Sequence, residues 1–146
     1  MQIEIKIDEK CEELKILIVT NKMTEQVEEL LKKLSAAQTE AIVGFKEDSA
    51  EILQQEEIIR IFSSNQKVYA QTKQGEYVLK LRLYELEERL NQNVFVRISN
   101  SEIINLKKLV KMDLSFSGTI GVKLLGNVTT YVSRRYVAKI KEVLGI

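Results

Sequence analysis

From residue 41 to residue 132 the apolar residues arrive in short bursts, at 41–45, 51–54, 58–62, 67–72, 76–82, 94–98, 109–114, 119–124 and 128–132. Short apolar runs punctuated by turn signals are strands rather than helices. Two of the joints are explicit. Lys73-Gln74-Gly75 links V-Y-A-Q-T to Y-V-L-K-L-R, with glycine supplying a positive φ. Gly126-Asn127 links I-G-V-K-L-L to V-T-T-Y-V, and a glycine-first pair suits a type II′ turn. Residues 39–146 are therefore expected to form one mainly β domain of the α+β class.

Three short helices interrupt these strands. Leu83, Leu86 and Leu90 mark one, with Glu85 and Arg89 as an i,i+4 pair. Ser99-Asn100-Ser101-Glu102 has the Ser-x-x-Glu form of a capping box and predicts a brief helix through Ile103, Ile104 and Leu106. Ser133 can cap a last helix that carries Val137, Ile140 and Val143 or Leu144 on one face.

The first 38 residues read as a separate ββα unit. Ile3, Ile5 and Ile7 alternate with polar residues, and L-K-I-L-I-V at residues 14–19 predicts a second, more buried strand. Met23, Val27, Leu30, Leu31 and Leu34 then form one apolar helical stripe, started by Thr24 or Asn21. Glu25, Glu28 and Glu29 precede Lys32 and Lys33, which suits the helix dipole and gives two i,i+4 pairs. Ser35-Ala36-Ala37-Gln38-Thr39 is the expected linker. So small a unit has to pack on the rest of the chain or on another chain.

The composition excludes much chemistry. The chain has 146 residues and no histidine, so a Ser-His-Asp triad, a Cys-His dyad and a His-ligated metal are ruled out. Its single cysteine, Cys11, stands beside Glu12 and Glu13, which disfavour a thiolate. A metal-dependent nuclease needs converging carboxylates, and residues 93–146 offer only Glu102, Asp113 and Glu142. Neither an enzyme nor a cofactor nor a small-molecule substrate is expected. No apolar run approaches the roughly 20 residues of a membrane span. The alternating N-terminus lacks the basic start and apolar stretch of a signal peptide, so a cytoplasmic protein is expected.

The charge is uneven. Residues 1–40 carry a net charge of −3, residues 41–92 of −2 and residues 93–146 of +6. A basic end behind an acidic front points to a polyanionic partner, or else to a solvated basic face. In Tyr131-Val132-Ser133-Arg134-Arg135-Tyr136, a cap at Ser133 puts two arginines in the first helical turn. Positive charge there costs roughly 0.3–1 kcal/mol per residue unless it is answered. An acidic side chain elsewhere can answer it. So can a docked anion, which the free amides of the helix start would also bind. Arginine further suits a guanine edge. Ser99-Asn100-Ser101 can cap itself, or offer an amide to a base and hydroxyls to phosphates. Ser63-Ser64-Asn65-Gln66-Lys67 is a polar connection between strands, and Lys107, Lys108 and Lys111 can follow a phosphate backbone or simply face water.

These sites occur in an order that resembles the LytTR DNA-binding family. The stretch N-V-F-V-R-I-S-N-S-E-I-I-N-L-K-K-L at residues 93–109 is similar to the family's signature, and V-S-R-R-Y to its closing motif. L-Y-E-L-E-E-R-L resembles its internal helix and I-F-S-S-N-Q-K-V-Y its first contact loop, so the likeness covers about residues 42–146. It implies an elongated set of small antiparallel sheets whose loops enter successive major grooves of double-stranded DNA. The family's contact positions fall on Gln66 with Lys67, on Asn100 and on Arg135. The first loop departs from the family, with Gln-Lys where others often have Asn-Tyr or a histidine. The residues expected to meet DNA are then Arg135, Asn100, Arg134, Ser133, Ser101, Gln66, Lys67, Asn65 and Lys107.

The front of the chain is too short for the phospho-accepting receiver that many such proteins carry. The layout resembles stand-alone LytTR regulators, in which a small integral membrane protein commonly restrains the regulator. An exposed ββ edge also invites a symmetry mate, so a homodimer is expected. The alternative reading makes the whole chain a protein-interaction module whose ββα front is the active part.

Overall fold

The structure is a computed structural model and describes residues 1–38, 41–115 and 118–146. A helix, α1 (Glu25–Gln38), precedes five strands: β1 (Ile42–Lys46), β2 (Ser49–Leu53), β3 (Arg60–Ser64), β4 (Lys67–Thr72) and β5 (Gly75–Leu79). Helix α2 (Leu83–Arg89) follows, then β6 (Phe95–Ser99), β7 (Glu102–Asn105), β8 (Leu109–Asp113), β9 (Ile120–Leu124) and β10 (Val128–Val132). The last element is α3 (Arg134–Leu144). All strand pairs are antiparallel. They form a seven-stranded sheet, ordered β2-β1-β5-β4-β3-β7-β6, and a three-stranded sheet, ordered β10-β9-β8.

The β6–β7 hairpin lies between two cores, which decides its sequence. Phe95 and Ile103 join Ile58, Ile61, Leu79 and the α2 leucines Leu83 and Leu86 in one cluster. Val96, Ile98 and Ile104 join Val122, Leu124, Val132 and Ile140 in the other. Ile103 and Ile104 thus point to opposite faces, and both are buried. Each contributes about 1.5–3 kcal/mol of burial. A strand covered on both sides has no polar face and shows no alternation. Here lies the physical reason for one correction: the capping-box helix expected after Ser99 is instead a hairpin turn followed by β7. Two adjacent β-branched residues with separate cores to fill hold the chain extended.

Buried Asn105 ends β7. Its Nδ2 donates to the Ile58 carbonyl at 2.8 Å, and its Oδ1 accepts the Lys107 amide at 2.9 Å. Gly44 on β1 gives room to the neighbouring strand, since a Cβ there would lie 2.8 Å from Tyr77 Cβ.

The front of the chain departs from its expected form. Helix α1 is present, and Thr24 caps it by accepting the Val27 amide at 3.3 Å. Residues 35–38, expected in a linker, are the last turn of α1, while Thr39 lies outside the described residues. The strands expected at 2–7 and 14–19 are not formed: those residues join no ladder, and Ile3, Ile5, Ile7, Leu14 and Val19 are all more than 80 % exposed. Alternation supplies a strand with a face but not with a partner, and neither sheet takes these segments as an edge. The β9–β10 turn also differs. Both Gly126 (φ 82°) and Asn127 (φ 59°) are left-handed, whereas a type II′ turn needs positive φ only at the first.

Candidate nucleic-acid interface

The first expected contact loop is the β3–β4 hairpin. Ser64 pairs with Lys67, which leaves a two-residue turn of Asn65 and Gln66. Both are left-handed, at φ 52° and 65°. Positive φ at both central positions is the type I′ geometry that fits the twist of a hairpin, and asparagine tolerates it. A glutamine in the second position is strained. The turn projects Asn65, Gln66 and Lys67 into solvent.

The second loop is the β6–β7 turn, Ser99-Asn100-Ser101. Its main chain is held by other residues. Arg97 donates to the Ser99 carbonyl at 2.7 Å and to the Asn100 carbonyl at 2.5 Å, and its Nη1 pairs with Glu87 of α2. The Ser101 amide donates to Ser99 Oγ at 3.2 Å, so one serine does cap the turn locally. Asn100 and Ser101 remain exposed. Glu102 does not cap a helix. It is buried, bound to Arg60 at 3.0 Å through Oε2 and to the Thr130 hydroxyl at 2.5 Å through Oε1. Arg60 also donates to Gln71 at 2.7 Å and lies 4.4 Å from the Phe62 ring centre. This network ties β3, β4 and β7 to β10 of the second sheet.

The third site is the start of α3. Ser133 occupies the capping position with an extended backbone, but its side chain makes no capping bond, contrary to expectation. Its amide is spent on the Ile98 carbonyl at 2.9 Å. Arg134 lies against Gly118, where a Cβ would meet its Nε at 2.9 Å. Arg135 is exposed, and among the described residues neither arginine forms an ion pair with a carboxylate. The acidic partner that would neutralise this helix start is not provided within the described chain.

Three hydrogen bonds stitch these sites into one edge. The Ser63 amide, at the base of the first turn, donates to the Ser101 carbonyl at 2.8 Å. The Tyr136 hydroxyl of α3 donates to Asn100 Oδ1 at 3.2 Å. The Ser133 amide reaches β6 at Ile98. Lys107 stands apart: it follows β7, at the end of that strand opposite to Asn100. Sequence reasoning passed over Arg97 and Tyr136. The lone charge inside the apolar run F-V-R-I-S was the one signal for the former.

The profile of the LytTr DNA-binding domain family matches residues 48–145. The chain belongs to this family. Two curated relatives from Staphylococcus aureus, both named as uncharacterized HTH-type transcriptional regulators, are similar over most of their length. The one from strain MSSA476 is 35% identical over 147 residues, 100% of this chain and 99% of its own. That from strain NCTC 8325 is 36% identical over 126 residues, 86% of this chain and 85% of its own. Among solved structures, the LytTr DNA-binding domain of a protein described as a methyl-accepting/DNA response regulator from Bacillus cereus superposes with a TM-score of 0.71. It is 18% identical, and the match covers 73% of this chain and 98% of that one. The mainly β architecture read from the short apolar bursts is thus that of a LytTr domain. Among the described residues no two helices are consecutive, so the LytTr edge presents two β-turns and one helix start rather than a pair of packed helices. No helix of the described residues is long and apolar enough to cross a membrane.

Proposed function

We propose that the chain is a sequence-specific DNA-binding transcription regulator of the cytoplasm that inserts its two turns and the start of α3 into successive major grooves of repeated half-sites. One observation carries this reading: three polar sites from distant parts of the sequence share one hydrogen-bonded edge, which ends in two arginines that have no acidic partner among the described residues. Arg135 and Asn100 read base edges. Arg134, Ser133, Ser101, Asn65, Gln66 and Lys67 contact phosphates or flanking bases. Lys107 serves only if the duplex extends along β7. DNA from upstream of the chain's own gene tests the proposal in a mobility-shift assay. Arg135→Ala is expected to cost about 1–3 kcal/mol at the preferred sequence and little on other DNA. Equal loss on all sequences would remove Arg135 from base reading.

We further infer that residues 1–38 are an assembly unit and residues 39–146 the DNA-binding unit. The exposed apolar side chains of the first segment, Ile3, Ile5 and Ile7, together with the half-covered stripe of α1, favour a homodimer. A small membrane protein that restrains the regulator is the other candidate for that surface. Deleting residues 1–38 is expected to leave DNA binding by each protomer while abolishing the dimer in sedimentation. An unchanged oligomeric state would place the interface elsewhere.

A further inference from the structure

An asparagine side chain has one accepting end and one donating end of nearly equal shape. Exposed on a turn, it flips between them at little cost, and a base edge in the major groove then meets the wrong pattern half of the time. Asn100 is not left in that condition. Its main chain is fixed by Arg97 through the Ser99 and Asn100 carbonyls and by the bond from Ser63 to Ser101. The side-chain torsion is the remaining freedom, and Tyr136 Oη sits 3.2 Å from Oδ1. A phenol is a stronger donor than acceptor, so this contact favours the amide with Oδ1 toward α3 and Nδ2 turned outward.

The geometry points to Tyr136 as a positioning residue that sets base specificity at Asn100. It rests on the DNA-reading function proposed above and adds to it a division of labour within α3. Arg134 and Arg135 present charge to the nucleic acid, while the next residue turns back and orients a reader on another element. The outward Nδ2 requires an acceptor on the base it meets, which a purine N7, guanine O6 or thymine O4 offers, and it disfavours cytosine, whose edge offers a donor. Loss of the hydroxyl frees the amide to flip. Discrimination at one position then falls, while the charge-driven part of binding stays.

Selection of bound sequences from a randomised duplex library tests this with the full chain, Tyr136→Phe, Asn100→Ala and the double variant. Tyr136→Phe is expected to relax preference at a single position, roughly two- to tenfold, as for the loss of one hydrogen bond. Asn100→Ala should relax the same position, and the double variant should do no more than Asn100→Ala alone. In Tyr136→Phe, affinity for a non-specific duplex and its salt dependence should not change. An unaltered preference in Tyr136→Phe overturns the proposal. So does an even flattening at all positions, which would mark Tyr136 as packing for α3. If the unaltered chain selects no sequence, the DNA-reading function fails first, and the positioning role with it.

Discussion

Gln66 stands where a type I′ turn calls for glycine, and its replacement separates stability from binding. A non-glycine residue in the left-handed region costs about 1–2 kcal/mol. Gln66, at φ 65°, carries that strain, while Asn65 at φ 52° is the residue type that tolerates it. Gln66→Gly removes the strain but adds about 0.4–1 kcal/mol of conformational freedom to the unfolded chain. Taken at their midpoints, the two leave a net stabilisation of about 0.8 kcal/mol. For a domain of this size that raises the melting temperature by about 1–4 °C. The same substitution removes a side chain from the candidate interface, so the variant should be the more stable protein and the weaker DNA binder. Thermal unfolding and a mobility-shift titration on one preparation read both effects. A lower melting temperature would refute the strain reasoning, because the turn would then not need a left-handed residue. Unchanged DNA binding would remove Gln66 from the interface.

Glu102→Ala leaves the Thr130 hydroxyl without its acceptor and Arg60 without its carboxylate, with only Gln71 still accepting from it, at a site only about a tenth exposed on the Glu102 side. It is expected to cost about 2–3 kcal/mol in urea unfolding, below the range for a fully buried pair because Arg60 keeps some access to water. Asn105→Ala abandons the Ile58 carbonyl and the Lys107 amide and should cost about 2–4 kcal/mol in the same assay. Asp113 accepts the Ser115 hydroxyl and amide at 2.6 and 2.9 Å, and these bonds, with Lys111 nearby, hold its pKa below 3.8. Its stabilising effect on that turn is complete above the unfolded pKa and fades as pH falls through the lower folded value. Carboxylate NMR should find Asp113 titrating below 3.8, and Ser115→Ala should return it upward.

The strands of the two sheets were legible wherever one face is wet. V-Y-A-Q-T and its partner are short apolar runs, in which Ala70, Thr72, Tyr77 and Leu79 are the buried residues, and the Lys73-Gln74-Gly75 turn announces their pairing. The β6–β7 hairpin was misread beyond Ser99 because Ile103 and Ile104 fill two different cores, and a run buried on both faces has no period. The opposite failure occurred at the front. Ile3, Ile5 and Ile7 alternate well, but pattern alone cannot supply the neighbouring strand that a ladder needs. Of the candidate site, the arginines at the start of α3 were legible because their sign conflicts with the helix dipole. Tyr136 was not, since its role depends on a contact with Asn100, 36 residues away in sequence.

Footprinting of the full chain on the DNA upstream of its own gene bears most directly on the three-site edge. Two turns and a helix start in successive major grooves predict protection on one face of the duplex, in patches about 10–10.5 base pairs apart, with affinity that falls steeply as salt rises. Protection that is continuous, that lacks this spacing, or that follows no sequence would contradict it.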